Sequence, residues 1–199
     1  MKELEIKLLS KDAVKPTRAY EISAGLDIYA SETVTLRPQQ KHLLKTDVAV
    51  NIPDGYVGLL TSRSGVSSKT SLVIETGKID AGYLGEMKIN IKNDEQRLDE
   101  DVYLANKKIN GLNPPLLYDI KNEKINNGNP FDIFTGKTYE IKKGDKIAQL
   151  VIVPIVTPEA KIVDNFETES ARGDKGFGSS DKEYPHDDSH LWFSKNKIE

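Results

Sequence analysis

The sequence predicts an all-β protein, a barrel or sandwich of many short strands. Three observations predict this class. Val, Ile, Leu, Thr and Tyr dominate short segments, often alternating with polar residues. Gly, Pro, Asp and Asn recur between these segments, as at Pro53-Asp54-Gly55 and Lys143-Gly144-Asp145, and are typical of turns. Only one stretch, near residues 64–69, favours a helix, and it is short.

The predicted strands follow one another along the chain. They comprise residues 3–9, 26–30, 33–36, 42–50, 56–61, 71–75, 87–92, 138–141 and 147–155. Segment 94–135 breaks this spacing, because it is first charged and then rich in Asn, Gly and Pro, yet it also contains apolar side chains. We expect an inserted subdomain there, and a mobile surface loop is the alternative.

From Pro158 to Glu199 the chain is polar, and it predicts an extended arm that is ordered only where it docks. The predicted organisation is therefore a β core of residues 1–93 and 136–157, an insertion of residues 94–135, and a C-terminal arm of residues 158–199.

The composition excludes several classes of function. The 199 residues, 37% hydrophobic and 30% charged, suffice for one domain with appendages. A net charge of −3 provides no basic surface for duplex nucleic acid, and no run of 18 apolar residues predicts a membrane helix. The absence of cysteine excludes disulfides, thiol chemistry and Cys/His zinc sites. The N-terminus alternates like a strand and not like a signal peptide, so we expect a cytoplasmic protein.

Segment 77–86 combines three glycines with Asp80 and Tyr83 directly before a predicted strand. Glycines allow a tight turn and the close approach of a ligand. A carboxylate at such a turn can orient a water molecule, and a neighbouring tyrosine offers a flat face to a ring. The segment therefore indicates a site for a small planar molecule.

Two further segments contain groups that suit a phosphate. Arg63, Ser64 and the backbone around Gly65 offer a forked cation and short donors, although for this segment alone a polar turn with an N-cap serine is the favoured explanation. Gln149 lies between Ala148 and Leu150 in a predicted strand. Its amide can donate to an anionic oxygen if it faces a cavity, and it is an ordinary strand residue if it faces solvent.

The C-terminal arm and the second strand add other candidates. Segment 172–180 places Arg172 and Phe177 among three glycines, a combination suited to a phosphate and a ring. Asp27 is a single acid in an apolar strand, either paired structurally or close to a metal-bound water. His186 and His190 could hold a metal, but their polar surroundings favour a solvated tail.

Taken together and in order, these segments resemble the five motifs of the trimeric dUTPase family, the dUTP nucleotidohydrolases. The matching segments are Ala24–Ala30, Arg63–Lys69, Gly77–Asn93, Gly144–Leu150 and Arg172–Ser180. With its insertion, the chain looks most like the members from staphylococcal phages. The resemblance implies a dUTPase-like β-barrel or jelly roll with one short helix, a homotrimer with shared active sites, Mg²⁺, and hydrolysis of dUTP to dUMP and diphosphate.

The resemblance also implies a role for each matching residue. Asp80 would activate the water that attacks the α-phosphorus, Tyr83 would pack on the deoxyribose, and Asp27 would contact a Mg²⁺-bound water. For the phosphates, the implied residues are Arg63, Ser64 and Gly65, with Gln149 on the α-phosphate. Uracil would be bound, largely through backbone groups, by Gly77, Lys78, Ile79, Met87 and Lys88. A closing lid would contain Arg172, Phe177, Gly178 and Ser179.

The sequence also departs from the family pattern. Lys175 and Asp181 occupy positions where the lid usually has glycine, which affects how the lid closes. Ile74 replaces a polar residue near the base, so uracil contacts would shift to the backbone. Ser67 and Ser71 replace the usual Ala and Gly and look tolerable.

Two alternatives remain open at this level. A dCTP deaminase shares the family fold, although the presence of Asp80 and of the Phe177 lid favours hydrolysis. A second role is regulatory, because segment 94–135 and Trp192-Phe193 have no evident catalytic task. Related phage proteins are thought to bind a repressor protein, so the insertion could bind such a partner. A further alternative is that the chain is a nucleotide-gated regulator without catalytic activity.

Overall fold

A computed structural model describes residues 3–96, 116–127, 136–168, 170 and 173–174. The chain divides into two compact units, Met1–Thr157 and Pro158–Glu199. In the second unit, none of the described residues lies in a helix or strand. In the described part of the chain, no helix is long and apolar enough to cross a membrane.

The first unit is nearly all β, as the sequence predicts. Its strands are β1 (Glu5–Leu8), β2 (Gly25–Tyr29), β3 (Val34–Leu36), β4 (Lys41–Lys45), β5 (Val48–Asn51), β6 (Tyr56–Ser62), β7 (Leu72–Ile74), β8 (Gly77–Ile79), β9 (Lys88–Asn93), β10 (Leu116–Tyr118), β11 (Lys124–Asn127), β12 (Thr138–Ile141) and β13 (Lys146–Pro154), and its helix is α1 (Ser64–Ser67).

Within the described residues, the strands form four sheets with the orders β2-β13-β6-β8, β4-β9-β7, β11-β10-β12-β3 and β1-β5. The alternation of β9, with Ile89 and Ile91 inside and Lys88 outside, is typical of a sheet with one face on the core. Together the sheets make a jelly roll around one apolar core. The largest wholly enclosed side chains include Ile28, Leu36, Leu44, Leu60, Ile89, Ile91, Tyr139, Ile141 and Ile147.

The structure corrects the predicted strand 42–50, which is two strands, β4 and β5. Thr46 and Asp47 separate them, and Asp47 has a left-handed φ of 55° that no regular strand accommodates. Thr46 turns inward, where its Oγ1 donates a hydrogen bond of 2.5 Å to the carbonyl of Met87. The short strands β8, β10 and β11 were not predicted, because each depends on a partner strand rather than on its own pattern.

In the insertion, residues 94–96 and 116–127 are described, and they include a hairpin of β10 and β11. Strand β10 runs parallel to β12 in a register that places Leu117 opposite Thr138 and Tyr118 opposite Tyr139. The rings of Tyr118 and Tyr139 lie 6.3 Å apart. The hairpin therefore extends a core sheet.

Candidate active site

Asp27 lies at the centre of a polar cluster on the sheet β2-β13-β6. Its Oδ1 accepts hydrogen bonds from Arg63 Nε at 2.9 Å and from Gln149 Nε2 at 3.3 Å. Its Oδ2 accepts one from Lys146 Nζ at 3.0 Å. Because Asp27 faces Gln149 in the strand register, and Gln149 in turn faces Thr61, three neighbouring strands bring the cluster together.

The carboxyl group of Asp27 is only 1% exposed, yet it is ionised at neutral pH. Burial is the largest single influence and would raise its pKa. Hydrogen bonds from Lys146 and Gln149 and the positive charge of Arg63 outweigh burial and hold the pKa of Asp27 below its ordinary value. The same hydrogen bond raises the pKa of Lys146. The cluster therefore contains one negative and two positive charges.

A β-bulge explains why Lys146 and Gln149 reach the same carboxylate. Side chains three positions apart on a regular strand point to opposite faces. In β13 the register shifts between Lys146 and Ala148, and Ile147 and Ala148 are both buried. The extra residue turns Lys146 to the side of Gln149. Sequence reasoning missed Lys146, and the adjacent apolar pair Ile147-Ala148 between two polar residues was the available signal.

Arg63 follows the last residue of β6 and is the N-cap of α1. Its Nη1 also donates to the carbonyl of Lys146 at 3.0 Å, so two hydrogen bonds fix the guanidinium. The next two residues, Ser64 and Gly65, are exposed. Because the first N–H groups of a helix have no partner within it, those of Ser64 and Gly65 can donate to an anion beside Arg63. The structure brings Arg63, Ser64 and Gly65 together at the start of α1, and their binding of a phosphate stays a prediction.

Gly25 is a further residue that the sequence did not single out. A Cβ atom at Gly25 would lie 3.0 Å from the Cβ and 3.3 Å from the Oε1 of Gln149. Such contacts are tighter than normal packing allows. The glycine therefore makes room for the side chain of Gln149 against β2.

A second group of predicted residues lies around β8. Strand β8 pairs only with β6, so its other edge has no strand partner in the described part of the chain. The exposed residue Asp80 follows it directly, and its carbonyl accepts a hydrogen bond of 3.2 Å from the N–H of Tyr83. Gly82 has a φ of 82°, which favours glycine at this turn. The turn presents both the carboxylate of Asp80 and the ring of Tyr83 to solvent.

The ring of Tyr83 folds back over the turn that contains it. Its hydroxyl donates to the carbonyl of Glu86 at 3.0 Å, and the side chain is 47% exposed. A Cβ at Gly85 would lie 2.6 Å from the Tyr83 hydroxyl oxygen and 2.7 Å from its Cζ. Gly85 is therefore the residue that permits this position of the ring.

Met87, Ile79 and Lys88 are placed differently from one another. Met87 and Ile79 are buried in the core. The N–H of Met87 donates to Val48 at 2.8 Å and its carbonyl accepts from Thr46, so these groups already have partners within the core. Lys88 is exposed, with its ammonium 3.7 Å from Glu86. Of the residues predicted to contact a base, Lys78 and Lys88 are exposed, and Gly77, on the free edge of β8, is of intermediate exposure.

The two groups lie far apart in one chain. Ile79 pairs with Gly58, near the start of β6, whereas Arg63 follows the end of β6. Arg63 lies five positions after Gly58, which along a strand corresponds to about 16 Å between their backbones. Asp80 therefore lies at the opposite end of β6 from the Asp27–Arg63 cluster.

Several predicted residues lie outside the described residues. They are Arg172, Phe177, Gly178 and Ser179 of the predicted lid, the departures Lys175 and Asp181, the histidines His186 and His190, and Trp192 and Phe193.

Comparison with known proteins gives consistent matches. A sequence model described as dUTPase matches residues 11–106 and 131–181. A deoxyuridine 5'-triphosphate nucleotidohydrolase of Mycolicibacterium vanbaalenii is 32% identical, over 89% of this chain and 94% of its own. The corresponding protein of Debaryomyces hansenii is 33% identical, over 90% and 88%.

Solved structures agree with the sequence matches. The dUTPase of Staphylococcus bacteriophage 80alpha, solved with dUPNHPP, is 53% identical with a TM-score of 0.76, over 92% of this chain and 100% of its own. The dUTPase of phage phi11 of S. aureus, solved to visualise a species-specific insert, is 54% identical with a TM-score of 0.71, over 84% and 99%. A mutant of the phi11 protein, solved to show the coordination of a structural Mg(II) ion, is 52% identical with a TM-score of 0.69, over 83% and 99%.

Proposed function

The chain belongs to the dUTPase family and hydrolyses dUTP, and we propose that it does so in an active site built from more than one copy of the chain. The dUTPase match over most of the chain favours dUTP hydrolysis over the dCTP deaminase alternative. A homotrimer is the assembly that the family resemblance implies, and one observation carries the proposal of a shared site.

That observation is the separation of Asp80 from Arg63. A base that activates water must lie within hydrogen-bond reach of that water, which itself must contact the phosphorus under attack. Groups about 16 Å apart along β6 cannot act on one α-phosphate. The Arg63 side of one copy therefore faces the Asp80 side of another in the proposed site.

The phosphate side of the site consists of Arg63, Ser64, Gly65 and Gln149. Arg63 is held by Asp27 and by the carbonyl of Lys146, which leaves its remaining N–H groups for a phosphate oxygen. The N–H groups of Ser64 and Gly65 add neutral donors. Gln149 packs against Gly25 and donates one amide N–H to Asp27, and its second N–H would donate to the α-phosphate. These groups are fixed before the substrate binds, so they stabilise developing negative charge without reorganisation.

Magnesium enters this proposal as part of the substrate, the Mg–dUTP complex. Mg²⁺ prefers carboxylate oxygens and usually keeps several bound waters. The ionised carboxylate of Asp27, beside Arg63, suits a hydrogen bond from such a water. The metal would neutralise part of the triphosphate charge.

The reaction proposed for Asp80 is a single displacement at the α-phosphorus. The oxygen of water forms a bond to that phosphorus while the bond to the bridging oxygen of the β-phosphate breaks. Diphosphate leaves with the electron pair, and the carboxylate of Asp80 accepts the proton of the water. Its exposure at the turn after β8 gives water free access to it.

The base and sugar would bind on the Asp80 side. The free edge of β8 offers backbone groups of Gly77 and Lys78 to a planar base, because no strand pairs with it in the described structure. The exposed ring of Tyr83 would pack on the deoxyribose and exclude a 2′-hydroxyl. Arg172 and Phe177, from the predicted lid, would cover the γ-phosphate and uracil. Because similar solved structures come from phages, we expect such an enzyme to act in the cytoplasm of the infected bacterium.

Mixing two inactive variants tests the shared site. Asp80→Asn and Arg63→Ala should each lose diphosphate release from dUTP, while Asp80→Asn still binds the analogue dUpNHpp. If the site is shared, mixed assemblies of the two variants regain activity, because some sites then combine an intact Asp80 with an intact Arg63. Asp54→Asn, at an exposed turn, is the control and should stay fully active. Mixtures that remain inactive although subunits exchange would contradict a shared site.

A second, regulatory role is proposed for the insertion. Its hairpin extends a core sheet, and among the described strands β11 lies at the edge of that sheet, where another chain can add a strand. The 80alpha relative is described as controlling transfer of virulence genes by a G protein-like mechanism. We expect a nucleotide-gated interaction with a repressor protein.

Deletion of residues 95–133 tests this role. The deletion should weaken binding of a candidate repressor in calorimetry and leave dUTP hydrolysis intact. Equal loss of both would show that the insertion is structural. Addition of dUpNHpp to the intact protein should change repressor affinity if the nucleotide gates the interaction.

A further inference from the structure

The ammonium group of Lys146 takes no part in the mechanism above, although it lies 3.0 Å from Asp27 Oδ2. A β-bulge turns its side chain toward Asp27, and its Nζ lies 5.6 Å from the centre of the Tyr29 ring. Bulges beside active sites commonly redirect a side chain. The chain therefore places a second cation, besides Arg63, on one buried carboxylate.

The donors around Asp27 close its carboxylate to solvent almost completely. Oδ1 already accepts hydrogen bonds from Arg63 and Gln149, and Oδ2 accepts one from Lys146. The side chain is only 1% exposed. A Mg²⁺-bound water can reach this carboxylate only if one of the three donors moves away.

Lys146 is the donor that can leave most easily. Arg63 is held at two points, Asp27 and the carbonyl of Lys146, and its side chain is 27% exposed. Gln149 is packed against Gly25. Lys146 makes one hydrogen bond to Asp27, its side chain is 40% exposed, and its four-carbon stem is flexible.

We propose that Lys146 holds Asp27 in the free protein and is exchanged for a Mg²⁺-bound water when Mg–dUTP binds. The released ammonium then binds the triphosphate. The buried carboxylate thus keeps a positive partner at each stage, which avoids the cost of an unpaired buried charge. This inference rests on the proposed function, since it assigns Lys146 to the same nucleotide site.

Calorimetric binding of dUpNHpp with and without Mg²⁺ tests the exchange in the Lys146→Met variant. Methionine keeps an apolar stem over Tyr29 and removes the charge. Without Mg²⁺, Lys146 stays on Asp27, and the variant should bind the analogue about tenfold more weakly than wild type, because the uncompensated triphosphate loses the attraction of a nearby positive charge. With Mg²⁺ the deficit should be smaller, because in the variant the Mg²⁺-bound water reaches Asp27 without having to displace a lysine. The fold-gain in affinity from Mg²⁺ should therefore be larger in the variant.

Matched variants and outcomes separate this role from a merely structural one. Lys146→Arg should restore the wild-type gain from Mg²⁺. Lys142→Met, which removes a lysine that is 57% exposed and lies near Glu140, should change nothing. An equal loss of affinity with and without Mg²⁺ in Lys146→Met would overturn the exchange and leave the proposed function standing. If Lys146→Met does not fold, Lys146→Gln carries the same expectation. A wild-type protein that does not bind dUpNHpp would overturn the proposed function and this inference with it.

Discussion

The side-chain amide of Asn93 donates a hydrogen bond of 2.8 Å to the backbone carbonyl of Lys137. The same nitrogen donates to the carbonyl of Leu36 at 3.0 Å, and Asn93 is completely buried. Asn93 ends β9, the strand that follows the Asp80 turn, while Leu36 ends β3 and Lys137 precedes β12. One buried amide therefore connects the strand after the Asp80 turn to the sheet that contains the inserted hairpin.

Replacing Asn93 should destabilise the core. Asn93→Leu keeps the volume but leaves buried carbonyl groups without this donor, so we expect a loss of about 2–3 kcal/mol in the free energy of unfolding. Urea titration followed by circular dichroism measures it. Asn90→Ala is the control, because Asn90 is on the outer face of the same strand, bonded to Glu75, and should cost only about 0.5 kcal/mol. Equal effects of the two changes would refute the structural role of Asn93.

Gly85→Ala should impair recognition of the sugar. The added Cβ would lie 2.6 Å from the Tyr83 hydroxyl oxygen, so the ring must move from its position over the turn. We expect the preference for dUTP over UTP to fall about tenfold, because a displaced ring no longer excludes a 2′-hydroxyl. Steady-state kcat/KM for both nucleotides measures the change.

Ala81→Ser, an exposed change in the same turn, is the control for Gly85→Ala and should preserve the preference. A Gly85→Ala protein that keeps full discrimination would show that Tyr83 does not select the sugar. Tyr83→Ala should match Gly85→Ala in the UTP measurement if both act through the ring.

The strands could be predicted from the sequence where the signal is local. Alternation in 87–92 and 138–141 reflects one buried face, and such a face is visible in a single segment. Strand β8 is only Gly77–Ile79, and it exists because β6 pairs with it. The break at Asp47 lies within an apolar, strand-like run, and its left-handed backbone depends on contacts with Glu86, far along the chain.

The candidate site could likewise be predicted only in part, because its contacts depend on the pairing of strands. Asp27, Arg63 and Gln149 could be singled out by residue type, but their contact joins three strands and depends on register. Lys146 was missed because a bulge, which needs a partner strand to define it, turns it to their side. The distance between Asp80 and Arg63 likewise follows from the pairing of β8 with β6, so no motif spacing could have revealed it.

Gly25→Ala should weaken catalysis through Gln149. The new Cβ, 3.0 Å from the Cβ of Gln149, would push that side chain away from Asp27 and the proposed α-phosphate position. We expect kcat/KM for dUTP to fall about tenfold, close to the effect of Gln149→Ala. Because both changes act on one group, their effects should not add. The double variant should therefore resemble Gln149→Ala, and full additivity would show that Gly25 acts elsewhere.

Asp145→Asn should stabilise the protein at neutral pH. Burial, the largest cause, raises the pKa of Asp145, and the negative charge of Asp119 raises it further, against the hydrogen bond from the N–H of Lys142. An acid with a raised pKa binds its proton more tightly when folded, so the wild type gains stability as pH falls through that pKa. Above it, the ionised carboxylate costs stability. Asparagine removes that cost. In the wild type the backbone N–H of Lys142 donates to Asp145 Oδ2 at 2.8 Å, and the amide oxygen of asparagine can still accept this hydrogen bond.

Thermal unfolding at several pH values measures this effect. The Asp145→Asn protein should melt a few degrees above wild type at pH 7, and the difference should shrink as pH falls through the raised pKa of Asp145 and vanish below the unfolded value, near pH 4. Asp54→Asn, at the exposed turn before β6, should not shift the melting temperature. A pH-independent difference for Asp145→Asn would show that the gain comes from packing, because only the carboxyl group titrates in this range.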